Sequence, residues 1–306
     1  MDALDLSLIR ELEADARQTH TTLATKLGVN RATVTSRLKR LVDGHVIEPV
    51  CYVDPRLGYA LRVNLGITTQ PGQSNDVAKK LAGHAAVNAV MVCAGGFDIV
   101  AYAVLRDQDE LLHLLTVEIS GIQGIQRVEP LLILKSVKMP VGLFSDNRAY
   151  RPSSRPLDTL DATDLALIKQ LQMDAMKGMR DIAKELNISP STASRRIASL
   201  LNSGVIRFAI TADPLALGYK GAAFIYLKIE PEKLNAAAEG LGSYANVFYV
   251  GIISGRFNAV AWVLFRELNE LNHLLTAELN TLPGLRDTEA MLCLKTLKRS
   301  YYVVRD

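Results

Sequence analysis

The residues whose chemistry is most evident lie between positions 30 and 41, where four cations occur with no acid among them. Three hydroxyl residues are interspersed, and the full set is Arg31, Thr33, Thr35, Ser36, Arg37, Lys39 and Arg40. Guanidinium groups can donate two parallel hydrogen bonds to a phosphate or a guanine edge, and short hydroxyl side chains reach similar acceptors. This combination favours contact with a nucleic acid; a solvated basic helix face is the alternative.

Local sequence patterns indicate which elements position these side chains. Leucine and isoleucine at every third residue predict a first helix over 6–12. A short helix is expected at 22–27 and a longer one at 31–42, with Gly28 ending the short helix. The candidate N-caps are Thr21 or Thr22 for the short helix and Asn30 for the long one. A short helix, a glycine-containing turn and a longer helix form the helix-turn-helix pattern.

The chain repeats itself. Residues 95–138 align without a gap to 255–298, and 18 of the 44 pairs are identical. Further upstream the offset is 159 rather than 160, so that Asp5 corresponds to Asp164. A repeat of this length is typical of a tandem duplication.

The second copy has its own, less basic, recognition helix. Its helices are expected at 180–186 and 191–201, with Ser189 as the cap of the second and Pro190 at the first helical position. The candidate DNA-contacting residues are Ser191, Thr192, Ser194, Arg195 and Arg196. Ala198 and Ser199 replace Lys39 and Arg40. The two heads should therefore prefer different half-sites, or the second should contribute mainly phosphate contacts.

The rest of each copy follows the order strand, helix, strand, strand, helix, strand. In the first copy the strands are expected at 61–68, 87–93, 99–105 and 128–137, and the helices at 76–81 and 107–119. This order suits a ferredoxin-like antiparallel sheet with both helices on one face. The opposite face needs a cover, either the other copy packed face to face or another chain, because its residues are apolar; we assign to it Val63, Leu65, Ile67, Val90 and Val92.

These patterns divide the chain into five parts. We expect a first helix-turn-helix domain at 1–50, a first sensing domain at 51–138, a linker at 139–161, a second helix-turn-helix domain at 162–212 and a second sensing domain at 213–306. Three prolines deny the linker regular structure. Its arginines, Arg148, Arg151 and Arg155, are expected to be solvated rather than bound to phosphates.

The order and spacing of these motifs resemble the Lrp/AsnC transcriptional regulators, also called leucine-responsive or feast/famine regulators, over nearly the whole chain twice. The matching strings are Asp5-x-x-Leu8-Ile9, Leu23-Ala24-x-x-Leu27-Gly28-Val29, Thr33-Val34-x-x-Arg37-Leu38, Gly44-x-Val46-Ile47 and Gly95-Gly96-Phe97-Asp98. The resemblance implies an α+β fold in which a winged helix-turn-helix precedes a ferredoxin-like βαββαβ sensing domain, the RAM domain. With two copies, one chain would form a covalent pseudo-dimer.

The resemblance also implies an effector site, since small effectors of this family, commonly amino acids, bind near a loop with a glycine-x-aromatic-acid motif. The matching residues are Gly95, Gly96, Phe97 and Asp98 in the first copy, and Gly255, Arg256, Phe257 and Asn258 in the second. Glycines let backbone amides approach a carboxylate, and an aspartate can accept from an α-ammonium group. In the second loop an anionic ligand or none is expected. A tight turn without a ligand is the alternative for both loops.

Other site chemistries find little support in the sequence. Cys51, Cys93 and Cys293 form no C-x-x-C pair, so we expect reduced core thiols, no metal and no cofactor. His113 and His273 recur at equivalent positions and are expected to be packed or at an interface. The chain lacks an 18-residue apolar run and begins with acidic residues, which predicts a cytoplasmic protein with no membrane association.

Three hypotheses on function follow. The first is a sequence-specific regulator that binds double-stranded DNA, responds to a small effector such as an amino acid, forms a homo-oligomer and has no catalytic residues. The second is a tetrapyrrole enzyme similar to the siroheme decarboxylases, which resemble the same architecture. The third, a sensing module that no longer binds DNA, is disfavoured by the basic residues at 31–40.

Overall fold

The structure is a computed structural model that describes residues 1–54, 56–57, 60–139 and 153–299. These residues divide into two compact units, and each unit draws on both copies of the repeat. The head unit contains the described residues of Met1–Leu57 and Pro140–Leu217, and the sensing unit those of Gly58–Met139 and Gly218–Ser300. In the described part of the chain, no helix is long and apolar enough to cross a membrane.

The first copy begins with three helices and continues as a strand-rich region. Its elements are α1 (Ala3–Ala14), α2 (His20–Leu27), α3 (Arg31–Asp43), β1 (Ile47–Val53), β2 (Leu61–Thr69), α4 (Ser74–Ala82), β3 (Val87–Ala94), β4 (Ile99–Leu105), α5 (Gln108–His113) and β5 (Ile125–Lys138). A π-helical segment, Leu114–Ile119, continues α5. The boundary expected at 50/51 falls within β1.

The second copy repeats this order after a 3-10 turn at Leu157–Thr159. Its elements are α6 (Ala162–Met173), α7 (Met179–Glu185), α8 (Pro190–Asn202), β6 (Ile206–Ala212), β7 (Gly221–Ile229), α9 (Leu234–Gly242), β8 (Val247–Ile253), β9 (Ala259–Phe265), α10 (Leu268–His273) and β10 (Leu285–Arg299). Most of the expected linker, including Arg148 and Arg151, lies outside the described residues.

The helix ends follow from local capping. Asn30 caps α3 as expected, because its Oδ1 accepts from the backbone N–H of Thr33 at 2.7 Å. Gly28 ends α2 with φ of 65°, a conformation that favours glycine. The predicted cap of α2 is wrong: Thr19 accepts from the Thr22 N–H at 3.1 Å, so the helix begins at His20.

The two heads share a two-stranded antiparallel sheet that the sequence did not predict. Strand β1 pairs with β6 of the other copy, with Val50 opposite Ala209. Helix α1 packs against β6, and α6 packs against β1. Arg17, just after α1, donates to the carbonyl of Ala175 at 3.2 Å and lies 3.5 Å from the centroid of the Phe208 ring. Each head is thus completed by elements of the other.

The sensing unit is a closed eight-stranded barrel in the order β10-β3-β4-β2-β5-β8-β9-β7. The copies join edge to edge where β5 pairs with β8 and β10 with β3. Each copy covers the other's inner face, one of the two solutions expected.

The residues assigned to that inner face were wrong, because both faces of each sheet are apolar and strand alternation alone cannot distinguish them. Val63, Leu65, Ile67, Val90 and Val92 lie in the core beneath α4 and the Leu114–Ile119 segment. The barrel interior is filled by another cluster: Cys93, Phe97, Val100, Leu131, Phe224, Tyr226, Ile253, Phe257, Val260 and Met291.

Candidate nucleic-acid interface and sensing loops

Helix α3 has one buried side and one exposed polar side. Val34 and Leu41 are buried against the head. Arg31, Thr35, Ser36, Lys39 and Arg40 are exposed, whereas Thr33 and Arg37 are half-buried. Exposed residues at intervals of four, such as 31, 35 and 39, follow each other along one helical face. That face can present hydroxyl and cationic groups to a groove of DNA.

Two of the predicted contact residues are engaged within the head. Arg37 Nη1 donates to Asp5 Oδ1 at 3.0 Å and also to Asp2. Arg40 Nη2 donates to both carboxylate oxygens of Asp5, at 2.8 and 2.7 Å. Asp5 is fully buried, and Asp2 caps α1. Two of the four cations at 30–41 therefore have acidic partners that are distant in sequence, which corrects the expectation of an unbalanced basic face.

These contacts perturb the ionisation of the groups involved. The hydrogen bond from Arg37, followed by the one from the Asp5 backbone N–H, lowers the pKa of Asp2 from 3.8 to about 2. The hydrogen bonds to Asp2 and Asp5 raise the pKa of Arg37 above its ordinary value. Both groups are therefore held in their charged forms.

The second head contains the same arrangement with one replacement. Arg196 Nη1 donates to Asp161 Oδ2 at 2.7 Å and to Asp164 Oδ1 at 2.9 Å. Where Arg40 would be, the second copy has Ser199, and Arg155 donates to Asp164 Oδ2 at 2.9 Å instead. Arg155 is thus an ion-pairing residue of the head, not a solvated linker residue.

A signal for this cluster was present in the sequence. Asp2 and Asp5, each 159 residues before its counterpart, recur as Asp161 and Asp164. Arg37 and Arg196 recur with the same offset. Acids and a cation repeated together in otherwise divergent copies indicate an ion pair that both copies keep.

The remaining predicted DNA-contacting residues are more accessible. Lys39 makes an exposed pair with Asp43 at 2.6 Å, and Thr35 Oγ1 lies 2.8 Å from Nδ1 of His20. In the second head Ser191, Ser194 and Arg195 are exposed and Thr192 is half-buried. Ser191 and Thr192 place their hydroxyl oxygens 2.9 and 2.8 Å from that of Ser189.

Arg31 and Arg195 differ from the other recognition-helix arginines. Both are exposed, and neither has an ion pair within the described residues. Their guanidinium groups need break no internal contact to bind an anion. They are thus the cations of α3 and α8 best placed to contact a phosphate or a base edge.

The first sensing loop connects β3 to β4. Gly95 has φ of 145°, and a Cβ there would lie 3.0 Å from the carbonyl oxygen of Ala290. Phe97 is buried in the barrel. Asp98 Oδ2 accepts from the Thr69 N–H at 2.7 Å and from its hydroxyl at 3.2 Å. The Asp98 carboxylate therefore fastens the end of β2, which corrects the expectation that it is available to an α-ammonium group.

The second loop uses an amide for the same purpose. Asn258 Oδ1 accepts from the Ile229 N–H at 2.9 Å, and its Nδ2 donates to the Ile229 carbonyl at 2.6 Å. Ile229 corresponds to Thr69, so the aspartate-to-asparagine difference preserves a structural contact. Gly255 has φ of 114°, and Phe257 is buried. Arg256 turns toward Glu129 and Glu289.

The histidines and cysteines have structural surroundings. The side chain of His113 is 59% exposed with Nε2 3.4 Å from Glu118, and that of His273 is 67% exposed beside Glu278. The expectation that these histidines are packed is therefore wrong, and a place at an interface stays a prediction. All three thiols are free, and burial raises the pKa of Cys51 to about 12. The described residues include no cluster of His, Cys, Asp or Glu suited to a metal ion.

Comparison with known families covers both copies. The family model of the AsnC-type helix-turn-helix domain matches residues 1–42 and 160–201. That of the Lrp/AsnC ligand binding domain matches residues 62–143 and 222–303. Together these matches include most of the chain.

Individual relatives match one copy at a time. The HTH-type transcriptional regulator FL11 of Pyrococcus horikoshii is 35% identical over 142 residues, covering 46% of this chain and 93% of the relative. The HTH-type transcriptional regulator LrpA of the same organism is 31% identical over 140 residues, covering 45% of this chain and 99% of the relative.

Solved structures also match the whole tandem arrangement. The crystal structure of the siroheme decarboxylase NirDL has a TM-score of 0.66 and covers 97% of this chain and 93% of its own, at 14% sequence identity. At that identity the likeness shows a shared fold only.

Proposed function

Because the chain belongs to the Lrp/AsnC family of helix-turn-helix transcriptional regulators, we propose that it binds one double-stranded DNA site through both α3 and α8. The observation that carries this proposal is the exposed polar face of each helix, with Arg31 on α3 and Arg195 on α8 free of internal ion pairs among the described residues. Arginines so placed can donate to phosphates or to guanine edges.

The two heads contribute unequal chemistry. On α3 the proposed contact residues are Arg31, Thr33, Thr35, Ser36, Lys39 and Arg40, and on α8 they are Ser191, Thr192, Ser194 and Arg195. Arg37 and Arg196 are assigned a positioning role, because each ties its recognition helix to the first helix of its head. Three exposed cations on one helix against one on the other favour an asymmetric operator.

The paired strands β1 and β6 support simultaneous binding by both heads. Since these strands hold the heads in one compact unit, contact by one head makes contact by the other effectively intramolecular. Half-sites about one helical turn apart, ~34 Å, or a multiple of it, would suit such an arrangement.

The regulatory part of the proposal concerns the sensing unit. A small effector such as an amino acid would bind at the exposed backbone of Gly95 and Gly96 or at an interface with a second chain. Homo-oligomers are also proposed. Light scattering with and without a panel of amino acids tests both, since an effector that acts on the assembly changes its mass.

The test of DNA binding uses a sequence enriched from random DNA by the full chain. Arg31→Ala should weaken binding by about 1 to 3 kcal/mol if it reads a base, or lower the salt slope by about 0.9 if it contacts a phosphate. Arg195→Ala should act in the same direction. Arg106→Ala, an exposed arginine of the sensing unit, is the matched control and should bind normally. Wild-type affinity in both head variants would refute the assignment.

The tetrapyrrole-enzyme alternative has the fold likeness as its support. Mixing the chain with siroheme and recording its absorbance provides the test. A stoichiometric band shift would favour the enzyme over the regulator, and an unchanged spectrum would count against the enzyme.

A further inference from the structure

The guanidinium group of Arg256, a residue of the second sensing loop, lies beside one aromatic ring from each sensing loop. Arg256 Nε lies 3.2 Å from Glu129 Oε1, and its Nη1 lies 3.2 Å from Glu289 Oε2. The guanidinium carbon is 5.0 Å from the centroid of the Phe97 ring and 4.7 Å from that of Phe257. Carboxylates together with aromatic faces are the groups with which proteins recognise planar organic cations.

Both copies contribute equally to the walls of this cation cage, defined as Phe97, Glu129, Phe257 and Glu289. Each residue of one copy has its counterpart 160 positions away in the other. Arg256 itself has no counterpart in the first copy, because the corresponding residue there is Gly96. A Cβ on Gly96 would lie 1.5 Å from Glu289 Oε1, so this carboxylate occupies the space of the missing side chain. The cage therefore has two acids and one cation.

Two further polar atoms at the cage have unused hydrogen-bonding capacity. Glu289 Oε1 is buried and accepts no hydrogen bond from the described residues. The Tyr226 hydroxyl group is also buried and has no hydrogen-bond partner among the described residues. Tyr226 is fully buried, with its ring 5.5 Å from Phe257 and 6.0 Å from Phe97. An unsatisfied buried acceptor is rare and costly in a folded protein. The cage thus offers more acceptor capacity than Arg256 uses.

We propose that the cage is a binding site for a guanidinium group and that Arg256 is its built-in ligand. Because Arg256 is tethered, its effective concentration at the cage is in the millimolar range or above. Free arginine-like compounds therefore compete poorly with Arg256 in the wild-type chain, and the cation-bound form of the sensing unit is the favoured one. The inference concerns the sensing unit alone, so its test uses no DNA.

The test is to remove the occupant and supply it from solution. Arg256→Gly reproduces the Gly-Gly sequence that the first copy already has at 95 and 96. In the full chain we expect this variant to lower the Tm of the sensing unit by roughly 2 to 8 °C. Methylguanidinium at about 1 to 10 mM, a range that suits a weak small-ligand site, should restore at least half of that loss. It should leave the wild-type Tm unchanged.

Two controls distinguish refilling of the cage from a general salt effect. Arg266→Gly removes another arginine that stacks on an aromatic ring, 4.5 Å from the Tyr219 centroid, and should not respond to methylguanidinium. Adding Glu289→Gln to Arg256→Gly should abolish the response, as should replacing methylguanidinium by sodium chloride at equal ionic strength.

The possible outcomes separate clearly. Restoration confined to Arg256→Gly supports the proposal, and so does a variant that refolds only with methylguanidinium present. The proposal is overturned if Arg256→Gly keeps the wild-type Tm, if methylguanidinium stabilises all variants equally, or if the variant fails to refold with and without it.

Discussion

Asp5 is a buried acid of the head unit whose loss should strongly destabilise that unit. Its carboxylate is buried and accepts from Arg37 at 3.0 Å and from Arg40 at 2.7 and 2.8 Å. Breaking a buried ion pair costs about 3 to 5 kcal/mol, and exposed pairs cost about 0 to 1. Since Arg40 is largely exposed, we expect Asp5→Ala to lower the free energy of unfolding by about 2 to 4 kcal/mol.

Thermal unfolding followed by calorimetry measures this effect. At about 3 to 4 °C per kcal/mol for a unit of this size, the Tm of the head unit should fall by roughly 6 to 16 °C. Asp43→Ala is the matched control, because it removes an acid from the same unit whose partner Lys39 is exposed, and it should change the Tm little. Asp164→Ala should reproduce the Asp5 effect in the second head. Equal Tm values for Asp5→Ala and Asp43→Ala would refute the reasoning.

Three further predictions concern pH, packing and thiol reactivity. The pKa of Asp2 is depressed to about 2, so the contribution of its carboxylate to stability is complete above about pH 4 and is lost as the pH falls toward 2. The Tm difference between wild type and Asp2→Asn should therefore vanish between about pH 4 and pH 2, and a constant difference would contradict this prediction. Gly66→Ala should destabilise the barrel by about 1 to 3 kcal/mol in chemical denaturation, because its Cβ would lie 2.4 Å from the Phe97 ring. With a pKa of about 12 instead of 9, Cys51 should react with iodoacetamide at pH 8 about 1,000-fold more slowly than a free thiol, and rapid labelling of the folded chain would contradict its burial.

The helices of the heads could be predicted well because their signals are local. Asn30 and Ser189 each precede a recognition helix, and both cap it in the structure. The family models and relatives confirm the duplication and the family. The predicted start of α2 was late because Thr19, Thr21 and Thr22 are all competent caps, and only the fold selects Thr19.

Long-range features were out of reach of local patterns. The β1–β6 pairing joins residues about 160 positions apart, and neither strand carries a mark of its partner. The role of Arg37 was misassigned for a related reason: its acidic partners, Asp2 at the N-cap of α1 and Asp5 within α1, lie more than 30 residues away. The residues of both sensing loops could be identified from the sequence, but the roles of Asp98 and Asn258 could not. Their side chains accept hydrogen bonds from the backbone N–H groups of Thr69 and Ile229.

The shared strands of the heads have a consequence for how such a chain can be divided. A fragment that ended at the linker would retain β1 without β6 and would expose an unpaired strand edge. Two different fragments mixed together should therefore recombine into a one-to-one heterodimer. Fusion into one polypeptide fixes that stoichiometry at synthesis, which frees each half to specialise because it always meets the same unlike neighbour.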